Sequence, residues 1–299
     1  MKPTVLKKIG IFCFSFALFG MFISCESDKK QEKSSGEFED AASELSDKVE
    51  EFLYEIPTPA EIPFIIEATG ADFNPDIVND INKAVKYTSN NKIAALNLGI
   101  YATDIGYLVT YEQVQDALLY MDECMSLGEA LGLQSTIDIG IVEKFESNLA
   151  KKDSLASIIN EVISNSDDYL KENERNNMAA LIISGTFIEG LYISTQIINS
   201  YPQDLLPDDS RNLILTPLIK IIIEQEKPLA DMIGLLNSIE DKGDWIEGLI
   251  NSLEELKNNY ESLDIQEKIS NNRADLILSD QVLYKISKQI EKIRATVTY

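Results

Sequence analysis

The chain has no histidine among its 299 residues. That absence excludes serine and cysteine triads built on an imidazole base, HExxH zinc sites, and the Glu-x-x-His motif of di-iron bundles. No Gly-x-Gly occurs, so the dinucleotide fingerprint is missing, and no phosphate loop is present. Cysteine is scarce: Cys13, Cys25 and Cys124. Proline (9) and glycine (14) are sparse, and Trp245 is the sole tryptophan. One tryptophan is a poor supply of the aromatic platforms that sugar sites usually need. Long alternating apolar–polar runs are also absent, which argues against strands.

Positive charge is the other shortage. The chain carries 26 basic and 50 acidic residues, a net charge of −24. So acidic a surface repels nucleic acid and anionic lipid headgroups and keeps the domain soluble. Nucleic acid is accordingly not an expected partner.

The N-terminus is organised differently from the rest. Lys2, Lys7 and Lys8 precede an apolar run from Ile9 to Ile23, and Ser24 and Cys25 follow it. This is the layout of a secretory signal peptide. The run is 15 residues long, short of the roughly 20 that a spanning helix needs. Cysteine at the cut is similar to a bacterial lipoprotein signal, in which the thiol is lipidated and becomes the first mature residue. Ile23 and Ser24 fit that site; Phe22 stands where a small or branched aliphatic residue is usual. Residues 1–24 therefore read as signal peptide, 25–36 as a lipidated polar tether, and 37–299 as one helical domain. The tether Glu26–Gly36, treated as a flexible coil, reaches roughly 18 Å. Cys13 would leave with the signal and Cys25 would carry lipid. Only Cys124 then remains, so no intramolecular disulfide can form. Cys124 falls in an amphipathic pattern and reads as a buried apolar residue.

Helical periodicity dominates the rest. The expected helices are Glu37–Ile56, Asn74–Thr88, Lys92–Thr110, Tyr111–Leu131, Ser135–Leu149, Ser154–Glu172, Arg175–Tyr201, Leu213–Ile223, Leu229–Ile239, Asp244–Leu263 and Ser279–Val297. Asn74 and Pro75 read as an N-cap and first position, which accounts for the Asp72, Asn74, Asp76 spacing better than a calcium loop does. Leu213–Ile223 is apolar nearly all round and reads as the most buried element. The fold class is all-α: about ten or eleven helices in stacked antiparallel hairpins, as a helical bundle or a degenerate helical repeat.

Two segments echo each other at an offset of 85. Ala94–Ala95–Leu96 aligns with Ala179–Ala180–Leu181, Asp104 with Glu189, Tyr107 with Tyr192, and Thr110 with Thr195. The echo reads as two related helical hairpins. Asp104 and Glu189 each sit on a mostly apolar helix face with a tyrosine one turn on. A carboxylate there must be paired, hydrogen-bonded or neutralised. Two readings follow. In one, Asp104 and Glu189 line a polar pocket, with Tyr107 and Tyr192 as hydrogen-bond donors. In the other, the acids belong to a structural network.

The run Leu98–Gly99–Ile100–Tyr101–Ala102–Thr103–Asp104–Ile105–Gly106–Tyr107, with Gly185–Phe187–Ile188–Glu189–Gly190–Leu191–Tyr192, resembles a loosely defined set of uncharacterised bacterial helical lipoproteins. The resemblance implies an export-anchored helical domain and supplies no catalytic residues. The expectation is a non-enzymatic binding or scaffold module of the cell envelope, at the outer membrane and facing the periplasm or the surface. Its membrane contact is the lipid on Cys25, its partner an envelope protein or small ligand, and no cofactor or metal is expected. The alternatives are a carbohydrate-active helical hydrolase using paired carboxylates, and a cation-binding envelope protein.

Overall fold

The computed structural model describes residues 70–134, 139–148, 175–201, 208–261 and 281–299, with isolated positions between 151 and 165. They belong to one compact unit, Asp40–Tyr299. Among the described residues helix is the regular secondary structure, as the all-α expectation required. A 3-10 turn, Ile81–Lys83, leads into the short α1 (Ala84–Tyr87). Then come α2 (Asn91–Thr110), α3 (Val114–Ala130), α4 (Ile139–Ser147), α5 (Asn176–Ser200), α6 (Asp208–Glu224), α7 (Glu226–Asn237), α8 (Gly243–Glu261) and α9 (Gln281–Val297). This is fewer than the ten or eleven expected. The expected Glu37–Ile56 lies outside the described residues, and so does most of Ser154–Glu172. The signal segment and Cys25 also lie outside them.

Local chemistry sets several boundaries. The Asn90 side chain accepts from the Lys92 and Ile93 amides at 2.9 and 3.3 Å and so caps α2. Gly132, at φ 73°, supplies the left-handed residue that ends α3. Pro228 falls in the first turn of α7, where its missing N–H costs no intrahelical bond.

One expected helix is mostly absent. Asn74 does not cap a helix. Its side chain accepts from the Asp76 amide at 2.9 Å and its carbonyl accepts from the Ile77 amide at 3.3 Å, closing a turn. Residues 71–80 form an irregular strap, and helix begins only after Asp80 caps Ile81–Lys83. The physical reason is that core side chains, described below, take the backbone groups that a helix would need.

The centre is the α2–α5 pair. Both helices are buried on nearly every side. By length and composition each could cross a membrane, but 89% of each apolar window is buried inside the protein. Burial all round accounts for a composition without a polar face. This corrects the expectation for Leu213–Ile223: in α6, Pro217 and Lys220 are exposed, so that helix covers one side of the core and α2 and α5 occupy it. α3 folds back on α2, α9 lies along α5, and α8 packs on both α9 and α7.

α9 runs antiparallel to both central helices. Asn97 Nδ2 donates to the Val297 carbonyl at 2.9 Å, while Arg294 meets Glu189 and Ser287 meets Asn199. α2 and α5 are therefore parallel to each other. They cross where two glycines let their backbones touch. A methyl at Gly99 would lie 2.0 Å from the Ile182 carbonyl oxygen, and one at Gly185 would lie 1.9 Å from that of Leu96. The contact is reciprocal, each glycine facing the residue three before the other. The echoed helices thus pack side by side, and the echo partners Asp104 and Glu189 meet across the pair.

Cys124 lies buried on α3. Burial pushes its thiol far above the ordinary range, with the nearby charges of Asp104 and Glu123 adding to the shift. The native chain is expected to leave Cys124 unmodified by a thiol-specific aromatic disulfide reagent, and denaturant should release the Cys124 thiol for titration. Prompt reaction of the native protein would contradict this burial.

Candidate functional site

The site forms where α2, α5 and α9 converge on the strap. Asp104 projects from the middle of α2 and Glu189 from the middle of α5, and neither exposes any surface. Arg294, in the last turn of α9, answers Glu189. Its Nε donates to Glu189 Oε2 at 2.8 Å and to Oε1 at 3.0 Å, and its Nη2 donates to Oε1 at 2.8 Å. Nη2 also donates to the Ile77 carbonyl at 3.0 Å. The guanidinium stacks over the Tyr192 ring, 4.2 Å from its centroid. Burial works against the guanidinium charge, but the Glu189 carboxylate, with Asp104 and Tyr192 adding to it, leaves the Arg294 pKa raised.

Asp104 is held differently. Its Oδ2 accepts from the Asn79 amide at 3.1 Å. Its Oδ1 receives no donor, and the Glu189 carboxylate lies beside the Asp104 side chain. Burial raises the Asp104 pKa well above the usual range; the Glu189 charge adds to the rise, and Arg294 opposes it.

The strap explains why polar groups are buried here. A non-helical segment pressed onto a core must find partners for its own N–H and C=O groups. Five side chains supply them from one stripe of α2 and from α3. Tyr111 donates to the Ala71 carbonyl at 2.8 Å. The Tyr107 hydroxyl accepts from the Asn74 amide at 3.0 Å and reaches its carbonyl at 3.3 Å. Asp104 takes the Asn79 amide, Tyr101 donates to the Asp80 carbonyl at 2.9 Å, and Tyr120 of α3 donates to the Asn79 carbonyl at 2.6 Å. Positions 101, 104, 107 and 111 recur at one-turn spacing, so a single helix face reads the strap from end to end. Phe73 locks the far end against Tyr107 and Tyr111, at centroid distances of 5.7 and 5.6 Å.

Asp104, Glu189 and Tyr192 thus come together, and Tyr107 does not join them. It bonds to the Asn74 backbone instead. Tyr192 meets the junction through its ring face under Arg294, not as the hydroxyl donor expected. Sequence reasoning missed Arg294 and Asn79. A signal for Arg294 existed: Leu283, Ile286, Ile290, Ile293 and Val297 mark the buried stripe of α9, and Arg294 lies one turn from both Ile290 and Val297. It is the cation placed on an apolar face. Asn79 carried no such signal, because its contact is made by backbone.

Chemically, the arrangement is closed. The Glu189 oxygens are occupied by Arg294, and the Asp104 oxygens face backbone and the other acid. Among the described residues no group of three or more Cys, Asp or Glu side chains is disposed to hold a metal. No protein-family model, curated protein or solved structure matches the chain.

Proposed function

We propose that this chain is an exported lipoprotein, anchored through Cys25 in the cell envelope, whose helical domain serves as a binding or scaffold module and not as an enzyme. The observation that carries the anchoring is the N-terminal sequence: three lysines, a 15-residue apolar run, then Ser24–Cys25 and a polar tether. The observation that favours a non-catalytic domain is the state of its best catalytic candidates. Asp104 and Glu189 are fully buried, and their partners are a strap amide and Arg294. A glycosidase pair needs two carboxyls flanking a site that substrate and water can reach. Here the acids secure the strap and the C-terminal helix to the core. The domain would hold its outward surface a short tether length above the bilayer, at the outer membrane, for an envelope protein or small ligand to meet.

The test is expression of the full chain in a bacterium, detergent-phase partition, and mass spectrometry of the N-terminal peptide. The expected result is a chain that begins at Cys25, carries a diacylglyceryl group on Sγ and enters the detergent phase. Cys25→Ala should abolish both modification and cleavage there. A chain that begins elsewhere, or an unmodified Cys25, would refute the anchor.

A further inference from the structure

Two buried acids at the junction face one cation. Arg294 commits its Nε and Nη2 to both Glu189 oxygens and to the Ile77 carbonyl. Asp104 has one donor, the Asn79 amide on Oδ2; its Oδ1 has none, and the Glu189 carboxylate lies beside the side chain. Two carboxylates are both acceptors and cannot bond each other unless one holds a proton. Two adjacent like charges in a site without solvent are also the arrangement that proteins relieve by keeping one acid neutral. Among the described residues, the other titratable groups that feel the Asp104 charge are Tyr101 on its own helix, Tyr120 and Cys124 from α3, and Tyr192 from α5. None of them brings a positive charge.

We infer that Asp104 and Glu189 share a single proton, carried by Asp104 Oδ1 and donated to the Arg294-bound Glu189, and that this pair is a proton-binding site whose emptying loosens the junction of α2, α5 and α9. The absence of histidine gives the site its significance. With no imidazole in the chain, a carboxyl held neutral by burial is a side chain that can still respond to pH above the ordinary carboxylate range. Tyrosines and Cys124 are neutral there in both the folded and the unfolded chain.

The sign follows from linkage. The folded pKa of Asp104 lies above its unfolded value, so this stabilisation is complete below about pH 4, the unfolded value, and drains away as pH rises towards the folded one. Over that interval the folded-to-unfolded ratio falls by up to about tenfold per pH unit for one proton.

The experiment uses the full chain in detergent. First, aspartate labelled with carbon-13 at the side-chain carboxyl is read by NMR at pH 7. One signal should report a protonated carboxyl and be missing from Asp104→Asn. Second, urea unfolding is followed between pH 6 and 8. The wild-type midpoint should fall with pH, while that of Asp104→Asn stays level and lies above wild type at pH 8, because the asparagine amide donates to Glu189 without a proton to lose. If every aspartate carboxyl is ionised at pH 7, or if Asp104→Asn keeps the wild-type slope, the inference is wrong. The NMR reading needs no variant to fold, so the proposal remains testable if the substitution disrupts the core.

Discussion

Gly99→Ala and Gly185→Ala are each expected to destabilise the domain by about 3 kcal/mol or more, at the upper end for overpacking. The added methyl would fall 2.0 Å from the Ile182 carbonyl oxygen in the first case and 1.9 Å from the Leu96 oxygen in the second. Both obstacles are helix backbone, which cannot swing aside as a side chain would. Relief requires the central helices to separate, and with them the acids and the arginine that depend on their spacing. Alanine's better helix propensity returns at most about 1 kcal/mol. Gly234→Ala in α7 and Gly248→Ala in α8 are the controls, because nothing lies within 4 Å of the new methyl at either position. There the propensity gain stands alone, and both should stabilise by roughly 0.5–1 kcal/mol. Thermal unfolding checks all four. A shift of about 2–4 °C per kcal/mol would place the two pairs on opposite sides of wild type. Equal effects at all four glycines would mean that the backbone contact does not exist.

The same residue type thus behaves oppositely at two kinds of site, and this marks what the sequence could tell. Helix positions were legible because apolar periodicity and capping are local. Asn90, Gly132 and Pro228 punctuate the chain where the helices begin or end. Depth of burial was less legible: Leu213–Ile223 reads as the most buried element, and α2 and α5 hold that place instead. The glycine crossing was not legible, since Gly99 and Gly185 look like ordinary weak helix formers until a partner backbone is placed on them. The strap was misread for a related reason. Asn74 and Pro75 carry a sound local signal for a helix start, and side chains at 101, 104, 107, 111 and 120 override it. Periodicity put Asp104 and Glu189 on apolar faces and so required that they be satisfied. It could not say by what, because Arg294 lies on a helix far along the chain.

Arg294→Met should cost about 3–5 kcal/mol, the usual consequence of removing one partner from a buried pair. Methionine can fill the space over Tyr192, so the loss isolates charge and hydrogen bonding from packing. Glu189 would lose its three donated contacts, and the Ile77 carbonyl would lose its donor at the same time. Arg294→Lys is expected to recover only part of this, because a point-like ammonium cannot span both carboxylate oxygens and the strap carbonyl. Glu189→Gln should cost less than Arg294→Met. Asp104 stands beside the vacated position and can ionise to become the counter-charge, giving up the proton it would otherwise hold. That asymmetry is the informative result. In the Glu189→Gln background Arg294→Met should cost clearly less than it does alone, and the double-mutant coupling energy measures the pair. If Arg294→Met unfolds at the wild-type urea concentration at pH 7, the ion pair does not hold α9 to the core and the junction is not what secures the strap.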